Sequence, residues 1–472
     1  MARTVGIGNQ NFADIITNNY FYIDKTMFIQ EWWENGDAVT LITRPRRFGK
    51  TLLINMVERF FSTEYERQGS VFEGLSIWQE EKYRRLQGTC PVISLSFANI
   101  KAPSFQNAKK MICRIIKKLY NKFDFLLAAD CLKEDEKEQY REVSATMEDY
   151  IAWDSLNALS EYLYRYYHKK VIILLDEYDT PMQEAYVNGY WNEMAGFIRS
   201  LLNSTFKTNP YLDRAIMTGI TRISRESIFS DLNNLFVVTS TSDAYADSFG
   251  FTQREVTAAL AEYGLSEKEQ SVKEWYDGFT FGKLNGIYNP WSILNYLRTR
   301  EFAAYWANTS SNSLVGELVR EGSPEIKIRM EDLLKGESFH ASIDEQLVYD
   351  QLDGNESAVW SLLLVSGYLK VICYEAKMTQ FGKWIQDYEL AITNFEVQVM
   401  FQSMIHGWFG ASNMGCNDFI KALLRGDTEE MNVYMNRMAE EVFSSFDTGK
   451  NLPGGRSRNA STMVLSWGFL WS

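Results

Sequence analysis

Arg44-Pro45-Arg46-Arg47-Phe48-Gly49-Lys50-Thr51 decides how this chain is read, because of what flanks it on either side. Upstream, Ala38–Thr43 (AVTLIT) is a short apolar, β-branched run that predicts a buried strand. Downstream, Leu52–Phe61 has the spacing of a helix. A turn that joins such a strand to a helix and closes on Gly-Lys-Thr is the setting of a phosphate loop. Backbone N–H groups of the turn and of the helix N-terminus then face phosphate oxygens. In that reading Lys50 reaches the β- and γ-phosphates and the Thr51 hydroxyl ligates Mg²⁺. The expected cradle is the whole stretch: Arg44, Pro45, Arg46, Arg47, Phe48, Gly49, Lys50 and Thr51. It departs from the GxxxxGK[ST] pattern at one place, since Arg44 stands where the first glycine belongs. Taken alone, GKT also suits a basic helix N-terminus that binds nothing.

A second stretch points to the same chemistry. Val171–Leu175 (VIILL) is the most apolar short run of the chain, and Asp176 and Glu177 follow it directly. Parallel strands covered on both faces read as continuous apolar runs. Carboxylates at the C-terminal end of such a strand lie in the crevice where open α/β sheets bind ligands. Asp176 is expected to hold Mg²⁺ through water, and Glu177 to orient or deprotonate the attacking water. The plain alternative is a strand that ends at a charged turn. A further strand, Arg214–Met217, leads into Thr218-Gly219-Ile220-Thr221-Arg222. Thr218 is the first candidate for sensing a γ-phosphate and Thr221 the second, while either suits a helix cap equally well. Arg222 is a candidate for stabilising transition-state charge, as are Arg46 and Arg47, against the commoner use of arginine in structural ion pairs.

Around these motifs, Pro91–Phe97 predicts another strand, and Asn107–Leu119 and Ser155–Tyr167 predict amphipathic helices. Strands alternating with helices predict an α/β fold with a parallel sheet between helical layers. The acidic run Lys133–Glu138 (KEDEKE) predicts a solvated helix face or loop. Beyond about Ala246 the texture shifts to helical patterns with aromatic clusters such as Trp275–Phe281, which places a domain boundary near residue 245.

The 472-residue chain is long enough for two or three domains. Its net charge of −13 argues against broad, non-specific binding to nucleic acid. The five cysteines form no CxxC pair, and the three histidines have no metal-ligand spacing, so no zinc site is expected. The N-terminus lacks a charged-then-apolar leader pattern and no run is long enough to span a membrane, which gives a cytoplasmic expectation.

Several motifs taken together resemble a known family. They are Gly6-Ile7-Gly8 with Phe12, Tyr22-Ile23-Asp24-Lys25-Thr26, the RPRRFGKT loop, LLDEYD at Leu174–Asp179, and TGITRIS at Thr218–Ser224. Further on come Leu232-Asn233-Asn234-Leu235, Phe249-Gly250-Phe251, Trp275-Tyr276-Asp277-Gly278, Tyr288-Asn289-Pro290, and Trp306 with Asn308-Thr309-Ser310. From about residue 5 to about residue 453 the chain is similar to the AAA-ATPase-like family of bacterial proteins that carry a C-terminal PD-(D/E)XK nuclease-like domain. The family pattern itself has RPRRFGK, so within it Arg44 is no departure. The resemblance implies an AAA-like P-loop ATPase domain over 1–245, a mostly helical lid or linker over 246–395, and the start of a nuclease-like domain over 396–472. It implies ATP and Mg²⁺ as ligands, with nucleic acid or a partner protein, and an oligomer, among the associations open to it. It also implies that Gly6–Thr26 lies where related ATPases contact the base, although a core position is the commoner role for aromatics such as Phe12 and Tyr22. The expected activity is Mg²⁺-dependent ATP hydrolysis. The alternatives are a nucleotide-gated interaction switch, or an inactive truncated product of an ATP-regulated nuclease.

The C-terminus departs from this family. After Phe443–Lys450 (FSSFDTGK) relatives continue with residues similar to PERFYHGFVLG, whereas this chain reads NLP and then GGRSRNASTMVLSWGFLWS. One permitted coding of Arg456–Phe469 gives KPERFYHGFVLGF when read from its third base. The glycines that arise across Met463/Val464 and across Trp467/Gly468 are forced by the genetic code. The expectation is a frameshift near Gly454–Arg456, leaving Glu396 and Glu389 as the only nearby acids to consider for a metal, with no matching ExK motif after them and no nuclease activity from this chain. Sequencing the gene tests this: the second frame should read through as KPERFYHGFVLGF, and a stop codon or unrelated residues there would sink the idea.

Overall fold

The structure, a computed structural model, describes residues 2–223, 228–229, 232–307, 309, 313–344, 346–347, 352, 355–378, 384–410 and scattered positions over 427–436. Asn308, Ser310 and the tail with its second reading frame lie outside the described residues. Residues 1–402 form one compact unit and 403–472 a second.

The strands, in chain order, are β1 (Val39–Thr43), β2 (Val92–Ser96), β3 (Val171–Asp176), β4 (Leu212–Gly219), β5 (Arg222–Ile223), β6 (Leu235–Val238) and β7 (Phe251–Thr252). They continue as β8 (Asp277–Phe281), β9 (Leu284–Tyr288), β10 (Phe339–Ala341), β11 (Gln346–Leu347), β12 (Leu369–Met378) and β13 (Trp384–Ile392). Five of them make a parallel sheet in the order β2-β3-β4-β1-β6. β1 and β3 are buried along their whole length, as the apolar runs AVTLIT and VIILL predict.

Side chains that alternate along a strand face opposite sides of the sheet. Val39 and Leu41, Ile93 and Leu95, Val171, Ile173 and Leu175, and Ala215 and Met217 share one face and one core. The helices Phe105–Lys122, Asp149–Tyr167 and Trp191–Phe206 cover it. The helix Lys50–Phe61 packs on β2 and β3, and Thr40 accepts the indole N–H of Trp32, from the helix Met27–Asn35, at 3.2 Å. A mixed α/β unit with a parallel sheet between helical layers, and a strand–loop–helix at Val39–Phe61, is the P-loop NTPase-like fold that the pattern predicts. KEDEKE begins the short helix Glu134–Glu142. Phe12 is fully buried and stacks on Phe72 with ring centroids 5.1 Å apart, so it is a core aromatic. The Tyr22–Thr26 motif acts as a clasp: Asp24 accepts the Ser76 amide at 2.7 Å, and Lys25 pairs with Glu255 at 2.7 Å.

Beyond residue 246 the described residues contain the expected helices, and also two antiparallel sheets that the helical reading lacks. These are β7-β9-β8 and β10-β13-β12. Their strands are short or half-exposed and interrupted by register shifts, so they carry little of the period-two pattern that marks a strand. The two sheets approach each other at Gly278, where φ is +138° and a Cβ would stand 1.9 Å from the Thr393 carbonyl oxygen. Gly278→Ala should therefore destabilise the protein by roughly 2–4 kcal/mol. A thermal melt checks this, and an unchanged midpoint would mean that this approach is not a constraint.

Candidate phosphate site

Parallel strands bring their C-terminal ends to one edge, and there the register does the rest. Thr43 pairs with Gly219 and Ile42 with Thr218 across β1 and β4, while Leu175 pairs with Met217 across β3 and β4. The residue after Leu175 is thus beside the residue after Met217. The Thr218 hydroxyl, buried, donates to Asp176 Oδ1 at 2.5 Å, and the Thr51 hydroxyl donates to Asp176 Oδ2 at 2.8 Å. Three motifs far apart in sequence converge on one carboxylate: the loop where it enters the Lys50–Phe61 helix, the end of β3 and the end of β4.

The loop itself holds two unusual backbone conformations. Gly49 has φ +88° and nothing within 4 Å of where a Cβ would stand. Arg47 has φ +64°, in the left-handed region that costs a non-glycine residue about 1–2 kcal/mol. Residues of alternating hand expose successive N–H groups and form an anion-binding concavity. Gly49 also offers the helix Lys50–Phe61 no side-chain cap, so the helix N-terminus keeps its orphan donors. Lys50 is buried, and its ammonium donates to the Arg44 and Pro45 carbonyls at 2.8 Å each. Burial lowers its pKa to about 8, against the upward pull of Glu177, Asp176 and Asp179.

Glu177 lies at φ +52°, and its amide donates to the Thr218 hydroxyl at 3.3 Å. Burial, and then the charge of Asp176, raises the Glu177 carboxyl above its ordinary value. A carboxylate shifted upward in this way is a better proton acceptor. Thr221, the second sensing candidate, turns elsewhere: its hydroxyl and amide both donate to Asp179 Oδ2 at 2.9 Å. Asp179 also takes the Ile220 amide at 2.9 Å, and Tyr178 Oη donates to the Thr221 carbonyl at 2.8 Å. The Tyr178–Asp179 pair therefore fixes the turn that carries Thr218, a role that charge pattern alone did not reveal.

The arginines separate. Arg44 is fully buried, with its guanidinium 4.2 Å from the centroid of Phe281 and hydrogen-bonded to the Thr239 and Ala244 carbonyls. Its side chain thus ties the loop to the 239–244 segment, and it is the Arg44 carbonyl that meets Lys50. That anchoring accounts for an arginine where the first glycine is usual. Arg46 and Arg47 are exposed; Arg46 reaches Gln183 at 3.4 Å and Arg47 lies over the Trp291 ring at 4.5 Å. Arg222 is on β5, in register with Gln346 of β11, and the bonds that join the cluster run through Thr51, Asp176 and Thr218. Phe48 is buried and meets Phe279 and Phe281 edge-on at 4.8 and 5.4 Å. Pro45 lies against Gly367. Residues beyond 246 thus form a second wall of the loop. Glu389 accepts the Ser338 hydroxyl at 2.5 Å on the β10-β13-β12 sheet, and Glu396 is enclosed among backbone amides. Among the described residues no helix is long and apolar enough to cross a membrane.

A curated relative, described as an uncharacterized protein in the vnfD 5' region of Azotobacter chroococcum mcd 1, is 26% identical over 325 residues. The match covers 68% of this chain and 56% of that protein, so the chain spans little more than half of the relative's length. Residues 6–229, which contain the loop, Asp176, Glu177 and Thr218, match the AAA-ATPase-like family, described as predicted AAA-ATPases.

Proposed function

We propose that this protein binds ATP with Mg²⁺ and hydrolyses it, with residues 1–245 as the nucleotide-binding domain and residues 246–395 as its lid. The observation that carries this reading is the convergence of Lys50, Thr51, Asp176, Glu177 and Thr218 at the end of the parallel sheet. The donor set fits the ligands. A buried ammonium and unsatisfied helix N–H groups suit phosphate oxygens. A hydroxyl and a carboxylate 2.8 Å apart suit Mg²⁺, which takes one or two protein oxygens and keeps several waters.

In this reading Lys50 leaves the loop carbonyls for the β- and γ-phosphates, and the loop amides hold the remaining phosphate oxygens. Thr51 and, through water, Asp176 would hold Mg²⁺, which would supply positive charge against the phosphate oxygens. Glu177 orients the attacking water and takes its proton. Thr218, fixed by Asp176 on one side and the Glu177 amide on the other, links the γ-phosphate position to the base. Arg46 and Arg47 are the exposed loop cations available to a γ-phosphate, with Arg222 the third candidate.

Lys50→Ala should weaken ATP binding by about tenfold or more, the loss of a charge-assisted bond. Glu177→Gln should keep binding and lose roughly 10²–10⁴-fold in turnover. Because the Glu177 carboxyl is held above the ordinary range, wild-type turnover should fall on the acid side at a higher pH than a free glutamate would give, as protonation removes the base. Calorimetry and phosphate release check all three. Glu177→Gln turning over at the wild-type rate would remove the base from the mechanism, and a folded wild type that binds no ATP would end the proposal.

A further inference from the structure

The carbonyl of Arg46, at the crest of the loop, accepts two side-chain donors from the second wall. The indole N–H of Trp306 donates to it at 2.9 Å and the Asn289 amide at 3.3 Å. Both donors are held by the same buried group. Glu396 Oε1 accepts the backbone N–H of Trp306 at 2.5 Å and of Ala307 at 3.4 Å. Its Oε2 accepts the hydroxyl of Ser292 at 2.8 Å. Ser292 is in the first turn of the helix Pro290–Thr299, and Asn289 is the cap of that helix, accepting the Trp291 amide at 2.8 Å. Glu396 is itself fully buried, in the first turn of the helix Phe395–Gly410.

An acid enclosed in this way is costly unless its oxygens are satisfied. Here they are satisfied by the segments that carry the two donors to the loop. The rings reinforce the link: Trp306 meets Phe279 edge-on at 5.3 Å, and Phe279 meets Phe48 of the loop at 4.8 Å. The peptide between Arg46 and Arg47 is planar and trans, so fixing its carbonyl against Trp306 and Asn289 aims the Arg47 N–H the opposite way. The next residue is Arg47 in its left-handed conformation, which persists only where its surroundings over-determine it.

We infer that Glu396 is a positioning residue for the phosphate loop, holding Trp306 and Asn289 so that they keep the Arg46 carbonyl outward and the loop in its binding shape. This rests on the nucleotide reading above for its consequence, while the tether itself stands on geometry. Burial raises the Glu396 carboxyl to about 7 despite the Ser292 hydroxyl and the backbone amides of Trp306, Ala307 and Tyr305, and its charge acts on the Tyr276 hydroxyl. Glutamine reproduces the protonated acid: its carbonyl accepts both backbone amides and its NH₂ donates to the Ser292 oxygen. Alanine removes the anchor, and Trp306→Phe removes only the indole N–H.

The test uses the full chain as wild type, Trp306→Phe, Glu396→Ala and Glu396→Gln. The exposed Arg46 and Arg47 are trypsin sites inside the loop, so cleavage there, mapped by mass and without nucleotide, reads the tether directly. Cleavage should quicken by about fivefold in Trp306→Phe and Glu396→Ala, as expected for one lost hydrogen bond, and stay at the wild-type rate in Glu396→Gln. In the same two variants KM for MgATP should rise with kcat nearly unchanged, because the Asp176–Thr218 cluster is untouched. Wild-type cleavage in Trp306→Phe at an unchanged melting temperature would overturn the inference, as would Glu396→Gln cut as fast as Glu396→Ala. A wild type that binds no MgATP, with the cleavage pattern intact, would sink the nucleotide reading and leave the tether standing.

Discussion

Asp176 accepts two hydroxyls at once, one from Thr51 and one from Thr218, and the site depends on that pair of hydrogen bonds. It exists because β4 lies between β1 and β3 in the sheet. With β4 there, the strand leading to the loop and the strand ending in Asp176 are separated by a strand whose own end supplies Thr218. Parallel pairing then fixes which residues meet, since a slip of one residue would turn Thr218 to the other face. Burial makes the arrangement consequential: it lowers the pKa of Lys50 and raises that of Glu177, so that the ammonium and the carboxylate are tuned by one desolvated cluster.

The central sheet was legible in the sequence for a physical reason. β1 and β3 are covered on both faces, and continuous apolar runs are what such strands require. The same signal located the loop and the carboxylates, because each follows the end of such a run. Thr218 was also legible, as a polar residue closing an apolar strand. Thr221 was not separable from it by sequence, because the difference lies in Asp179, 42 residues away, which takes the Thr221 hydroxyl. The role of Arg44 was equally hidden. Its motif position suggested the phosphates, whereas its buried guanidinium is committed to the Thr239 and Ala244 carbonyls and the Phe281 ring.

The second wall was the least legible part. Asn289, Trp306 and Glu396 sit 243, 260 and 350 residues from Arg46, and no local pattern marks their convergence. Glu396 in sequence is an acid at the start of a helix, a common arrangement with nothing to announce burial. In the fold it joins the segments that press on the loop. YNP and the Trp306 segment, separate in the chain, thereby act on one peptide of the loop, while Phe279 of WYDGF packs on the neighbouring Phe48. Residues on both sides of position 246 thus bear on the loop: Thr239 and Ala244 through Arg44, and Asn289 and Trp306 through the Arg46 carbonyl.

In the proposed function the loop and the Asp176 cluster bind MgATP. A structure of the wild-type protein with a non-hydrolysable ATP analogue and Mg²⁺ tests it most directly. The expected structure has Lys50 Nζ off the Arg44 and Pro45 carbonyls and on the β- and γ-phosphates, with the Thr51 hydroxyl turned from Asp176 to the metal. A structure at saturating analogue in which Lys50 keeps both carbonyls, and the phosphates are bound elsewhere, would contradict it.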